Sequence, residues 1–453
     1  MDRGGRKARR RRESHGMNED PRTTIAAAPM RTLQIVVVAL CIALNALDGF
    51  DVLAISFAAP GIADEWGVDK ATLGIVLSME LLGMAAGSVL IGNVADRVGR
   101  RPTILCCLVV MALGMYAAMH AQGVTSLSVV RFLTGIGIGG MLSSTSAMVA
   151  EFSNDRRRGL NVALNIAGYS TGAILGGLLA SRLLAETGDW RSVFMLGAIA
   201  SAAMIPLAYF FLPESIESLI ARRPAGAIDG VNRTLVRIGH APVEALPPPP
   251  AQALKPSIAT LFGSGFARIT ILLTIAYFAQ ILFFYYIQKW VPKIVVDMGF
   301  DAAQAGGVLV AANIGNLAGA VLIGLASQRF ALRPLVAGAM LAGFVAIGLF
   351  GVAGADLTRL SITVAIAAFF INAGVVGMYP LLAQAYPAAL RASGTGFVIG
   401  IGRGGSALGP VVAGALFASG GSLLLVSLVM GLGGLLAATM ILLLPRETSA
   451  NIA

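Results

Sequence analysis

The chain has 453 residues, 57% of them hydrophobic and 12% charged, against roughly 45–50% and 25% in soluble domains. That composition excludes a soluble globular protein. The net charge of +10 does not mark a nucleic-acid binder either, because the Lys and Arg residues sit in alternating short loops.

Residues 1–31 read as a cytoplasmic tail. Its run Arg9-Arg10-Arg11-Arg12 looks like a localisation signal in isolation, but a solvated basic tail ahead of a membrane helix is the better reading, and Met17 is an alternative start. No cleavable signal peptide is expected, since the basic tail lies too far from Leu33 and the first apolar stretch is too long. Twelve spans follow, at 32–59, 71–94, 102–121, 124–149, 159–182, 191–212, 267–290, 303–327, 334–353, 358–383, 392–418 and 422–444. The expected fold is an all-α polytopic membrane protein of two six-helix bundles, 32–212 and 267–444. A cytoplasmic linker, 213–266, joins them, and 445–453 forms a second cytoplasmic tail. The linker contains Pro247-Pro248-Pro249-Pro250, which reads as a stiff extended piece. Cys41, Cys106 and Cys107 fall in apolar segments without metal-site spacing and read as buried thiols.

Span one carries Asp48-Gly49-Phe50-Asp51 in membrane-grade surroundings. Insertion scales charge about 2.5–3.5 kcal/mol for one Asp at a helix centre, so two such acids require a polar path or work to do. Three residues apart, they lie about 300° around the helix and share a face, where two carboxylates cannot both ionise cheaply. That suits a pair that picks up and releases a proton beside the transported species; a helix-packing role through hydrogen bonds is the alternative. Glu80 in span two faces the same cost and is a second proton-site candidate, unless it simply pairs with Arg131. Arg131 in span four either tunes an acid of span one or snorkels to the outer interface.

Tyr285, Tyr286, Gln288 and Lys289 close span seven beside Trp290. They either contact an aromatic substrate or form an interfacial belt. Asn372 and Tyr379 in span ten are polar residues in an apolar helix and join the substrate candidates. Arg403 lies 11 residues into span eleven, ~16 Å from its end, hence near mid-membrane. A guanidinium there matches a carboxylate bidentately, unless it is held in a permanent bridge to Asp48, Asp51 or Glu80. Asp96, Arg97, Arg100 and Arg101, with Gly92 and Gly99, lie in the loop after span two. This is a solvated positive patch or a gate in which the acid caps a neighbouring helix.

With the amino terminus inside, cytoplasmic segments hold 25 of the 33 Lys and Arg residues and external loops five, so both termini are expected in the cytoplasm. An internal repeat supports two halves. Gly92 to Pro102 after span two and Gly324 to Pro334 after span eight align at an offset of 232, which also carries Leu212-Pro213 onto Leu444-Pro445.

On these residues the chain resembles the major facilitator superfamily. Gly92 to Arg101 is similar to its signature loop, and Arg131 to Gly140 to its fourth-span motif. Asp48-Gly49-Phe50-Asp51 and Gly400-Ile401-Gly402-Arg403 to Gly409-Pro410 resemble the aromatic acid:proton symporter family. So do Glu151 to Gly159, Trp190-Arg191 and Pro213-Glu214-Ser215, and together these segments cover nearly all of 30–448. The resemblance implies import of a small aromatic carboxylate, hydroxybenzoate- or phenylpropanoate-like, with protons, by a monomer in the bacterial inner membrane. It assigns Asp48, Asp51 and Arg131 to proton coupling, beside Glu80 on its burial cost alone, and it adds Glu151 and Arg157 to the gating set. Three features depart from the pattern: Gln328 and Ala331 replace Asp96 and Gly99 in the second half, Glu80 stands where a neutral residue is expected, and span five lacks the antiporter proline. Rival readings are an importer of an aliphatic dicarboxylate or a sugar, and a membrane sensor, for which the linker is too short. No cofactor, metal cluster, phosphate loop or nucleophile constellation appears, so an enzyme is not expected.

Overall fold

The computed structural model describes residues 20–247, 258–263 and 265–445. Among these, twelve helices are long and apolar enough to cross a bilayer: α1 Thr32–Trp66, α2 Lys70–Val98, α3 Arg100–Met119, α4 Val124–Phe152, α5 Asp155–Thr187, α6 Arg191–Phe211, α7 Ala267–Asp297, α8 Ala302–Ala326, α9 Leu332–Gly351, α10 Leu357–Ala385, α11 Ala388–Ala418 and α12 Leu423–Leu442. The protein is therefore a multi-pass membrane protein. Local chemistry sets the helix ends. The side chains of Asp69, Asn154, Asp301, Asp356 and Ser422 each accept from a backbone N–H in the first turn that follows. The Thr72 N–H on Asp69 lowers the pKa of that carboxyl. Gly67 and Gly188 end α1 and α5 in the left-handed region, at φ 59° and 65°.

Several expected boundaries move. α1 continues through Pro60 to Trp66, and α7 runs seven residues past the expected end at 290, so Tyr285 to Trp290 lie inside the helix rather than at its mouth. The linker is not simply extended. Its helices Ile216–Arg222 and Ala227–Ile238 bury Ile216, Leu219, Val231, Leu235 and Ile238 against the first half. Pro248 to Pro250, Arg9 to Arg12 and 446–453 lie outside the described residues. Cys41 and Cys107 are buried, but Cys106 is exposed.

The sequence repeat has a structural counterpart. Gly83 and Gly87 of α2 lie so close to the backbone of Phe132 and Ile136 in α4 that a Cβ would overlap it. Gly315 and Gly319 of α8, 232 residues further on, meet Ala365 and Phe369 in α10, 233 residues beyond Phe132 and Ile136. Gly172 of α5 sits on Ala46 of α1, as Gly405 of α11 sits on Phe278 of α7. Arg101 donates to the Tyr209 carbonyl at 2.7 Å and Arg333 to the Ile441 carbonyl at 3.0 Å, a pair of bonds that the offset maps onto each other.

The halves meet through α2 and α11, α5 and α8, and α1 and α7. On the side away from the termini they are closed. Gly74 lies against the Pro410 carbonyl and Gly414, Gly306 against Ser181, and Lys70 pairs with Asp297 at 2.8 Å. That ion pair is 39% and 29% exposed and contributes about 0–1 kcal/mol. Asp297→Asn is thus expected to open this side by at most about fivefold, measured as faster thiol labelling of Ser181→Cys.

Candidate functional site

The closed interface is held at its centre by three buried charges. Arg131 of α4 donates to Glu80 of α2 and, at 2.9 Å, to the Asp51 carbonyl of α1. Its guanidinium stacks 5.4 Å from the Phe194 ring. Lys289 of α7 comes from the other half, lies 3.4 Å from the second Glu80 oxygen and donates to the Val52 carbonyl. All three side chains are fully buried. Arg131 therefore does not snorkel, and Lys289 is no part of an interfacial belt. One carboxylate bridges both halves, and two cations depend on it.

Asp48 and Asp51 are buried in the first half, and none of their four carboxylate oxygens has a hydrogen-bond partner. Neither lines the cavity at Arg403. A carboxylate at this depth without a partner bears a desolvation cost of several kcal/mol that the protonated acid avoids.

The cavity, about 780 Å³, opens on the side of the termini. Ala85, Ser88 and Val89 of α2, Leu142, Ser143 and Ser146 of α4, Ala383 of α10, and α11 from Arg391 to Arg403 line it. Arg403 reaches across it and donates to Ser88 Oγ. Among the described residues it makes no ion pair, so the expected alternative of a bridge to Asp48, Asp51 or Glu80 does not hold in this conformation. A half-buried guanidinium that lines a cavity has the charge and the planar shape that a carboxylate can meet with two parallel hydrogen bonds.

The remaining candidates separate. Tyr286 turns into the second half and bonds Ser427 at 2.9 Å, away from the cavity. Gln288 donates to Asn313 at 3.0 Å and accepts from Asn316 at 3.2 Å, while Asn372 donates to the Asn316 carbonyl at 2.8 Å. These amides form a network between α7, α8 and α10 in which the buried Asn316 Oδ1 lacks a partner among the described residues. Tyr285 is half-buried opposite Tyr169 of α5, and Tyr379 lies 3.3 Å from the Tyr277 hydroxyl.

In the loop after α2, Asp96 pairs with Arg100 at 3.1 Å and is largely exposed, so it caps no neighbouring helix here. The acid that does so is Glu214, which sequence reasoning did not place among the gating residues. It accepts from the Arg100 and Arg101 N–H groups at 2.9 and 3.3 Å and pairs with Arg222 at 3.7 Å. Glu151 accepts from Ser215 and lies 4.0 Å from Arg100; Arg157 and Arg97 are exposed, and Gly92 has open space around it. Gly99, at φ 120°, joins α2 to α3 where a Cβ would strike the Glu214 carboxylate. Gly99→Ala is expected to cost about 1–3 kcal/mol, seen as a lower thermal midpoint of the purified protein.

Two repeated six-helix halves, closed on one face over buried charges and open on the other over a cationic cavity, define a secondary transporter. The profile of the Major Facilitator Superfamily matches residues 40–361 and again 273–453. The chain is 30% identical to a gallate transporter of Pseudomonas putida, over 93% of this chain and 94% of that one. It is 31% identical to the 4-hydroxybenzoate transporter PcaK of Acinetobacter baylyi, over 86% of each. Its fold is that of the inward open xylose transporter XylE from E. coli, at a TM-score of 0.70 and 19% identity over 92% of this chain and 98% of that one. The chain belongs to the Major Facilitator Superfamily, in its aromatic acid transporter family.

Proposed function

We propose that this protein imports a small aromatic carboxylate, hydroxybenzoate- or phenylpropanoate-like, together with protons, across the bacterial inner membrane by alternating access. The charge asymmetry of the loops supports cytoplasmic termini, so the cavity at Arg403 is the inward-facing one. The observation that carries the reading is Arg403 itself, a cation without an acid partner in the cavity of a chain whose relatives are named for aromatic acids. A neutral sugar would leave that charge unanswered.

In the mechanism, Arg403 takes the substrate carboxylate. A proton on the Asp48 and Asp51 pair, sensed through Arg131 and Glu80, sets whether Lys289 stays locked to the first half. Protonation that weakens the hold of Glu80 on Lys289 lets the outer face part, and a bound substrate carboxylate offsets the positive charge left in the centre. The Gly92 to Arg101 loop with Glu151 and Arg157 rearranges when the inner face closes. Asp48→Asn is expected to lose uptake against a gradient while still exchanging labelled 4-hydroxybenzoate across the membrane at equal concentrations. Full concentrative uptake by that variant would remove the coupling role.

A further inference from the structure

The interior of the first half carries further polar side chains, on α1, α4 and α5, between the buried acids and the cavity. Asn45, Asp48 and Asp51 follow one another on α1 at three-residue steps, each about 4.5 Å of rise. Asp51 faces α6 and α3: its Oδ1 lies 3.1 Å from where a Cβ on Gly197 would stand, near Met115, with Ser201 adjacent. The charged groups around it are Arg131 of α4 and Glu80 of α2, and Lys289 of α7 lies beyond Glu80. Asp48 lies within electrostatic reach of Asp51, of Cys107 of α3 and of Tyr169 of α5. Toward the termini, the Asn45 amide donates to the Asn165 carbonyl of α5. The Asn165 amide lies 3.4 Å from Ser146 Oγ, and Ser146 lines the cavity.

Among these side chains the oxygens of Asp48 and Asp51, Asn45 Oδ1, Asn165 Oδ1 and Ser201 Oγ are all buried without a hydrogen-bond partner. Buried polar groups almost always find one, and water is the partner small enough to serve several in a row. Amides and hydroxyls orient such water without holding the proton, because they stay neutral at working pH.

We infer that these side chains mark the route by which a proton leaves Asp48 and Asp51 for the cavity, through water held between Asp48, Asn45, Asn165 and Ser146. The carboxyl O–H gives its proton to a water oxygen, and each oxygen that accepts one proton releases another, so only O–H bonds form and break. The acids are thereby discharged on the substrate side without lining the substrate cavity. The inference rests on the proton-coupled reading above.

The test uses the full chain in lipid vesicles. The infrared band of the protonated carboxyls is assigned by its loss in Asp48→Asn and Asp51→Asn, and its deuterium exchange is timed after mixing with heavy water. Asn165→Leu and Asn45→Leu are expected to slow that exchange about tenfold or more. Asn165→Ser, which keeps a polar group, is expected to restore it, and equal-pH exchange of 4-hydroxybenzoate is expected to stay near wild type in all three. Wild-type exchange rates in both Leu variants would overturn the route, as would a slowing that Asn165→Ser does not relieve. The infrared readout needs no substrate. If the wild-type protein shows no pH-driven uptake of aromatic acids, the transport reading fails separately.

Discussion

Glu80→Gln is expected to abolish uptake against a gradient and to destabilise the closed state more than any other single change. The substitution keeps the shape of the side chain and removes the one carboxylate that Arg131 and Lys289 share. Breaking a buried pair from one side costs about 3–5 kcal/mol, because the partner is left as an uncompensated charge, and here two partners are left. The thermal midpoint of the purified protein should fall clearly below that of wild type. Lys289→Gln alone is expected to cost less, since Arg131 keeps its acid. The double variant is expected to fall short of the sum of the two single losses, because the interaction each destroys is the same one. Additive losses would show that Glu80 and Lys289 do not act as a unit. If Glu80→Gln kept wild-type stability and concentrative uptake, the central position assigned to this acid would be lost.

Arg403→Lys is expected to weaken binding of 4-hydroxybenzoate by about 10–100-fold, although the charge is retained. The guanidinium offers a planar fork of two parallel donors to a carboxylate, and an ammonium offers a single point charge on a mobile stem. Hydrogen bonds to charged groups contribute about 1.5–3 kcal/mol, which sets that range. Arg403→Ala should bind more weakly still. Stability should change little in either variant, because among the described residues Arg403 supports no ion pair, and its side-chain bond, to Ser88, crosses the cavity. Titration of the purified protein by ligand-induced thermal shift separates the two effects. Unchanged affinity in Arg403→Lys would mean that the carboxylate is held elsewhere. Tyr285 and Tyr379, half-buried and exposed respectively, would then be the next side chains to examine.

The architecture was largely legible in the chain. Apolar runs of membrane length, polar caps between them and the aligned Gly92 and Gly324 loops point to twelve spans in two related sets. The contacts of Gly83 with Phe132 and Gly315 with Ala365 show the same relation in three dimensions. The cost of burying a charge singled out Asp48, Asp51, Glu80 and Arg403, of which the three acids are buried and Arg403 half-buried. Lys289, read at a helix end, and Arg131, read near the outer interface, are also buried. Hydrophobicity and helical period are local properties, and local properties can be read from one chain.

Who pairs with whom was not local. Glu80 and Lys289 are 209 residues apart, and Arg131 and Glu80 are 51 apart. Their meeting depends on helix rotation and on which face of each bundle is closed. The same rotation turns Tyr286 toward Ser427, engages Gln288 with Asn313 and Asn316, and hides Asp48 and Asp51 from the cavity that Arg403 lines. The amino acids alone therefore determined which helices cross the membrane and which charges have to be answered there. Only the packing of the two halves decided which partner answers each charge, because desolvation penalises a lone ion without naming the group that will relieve it.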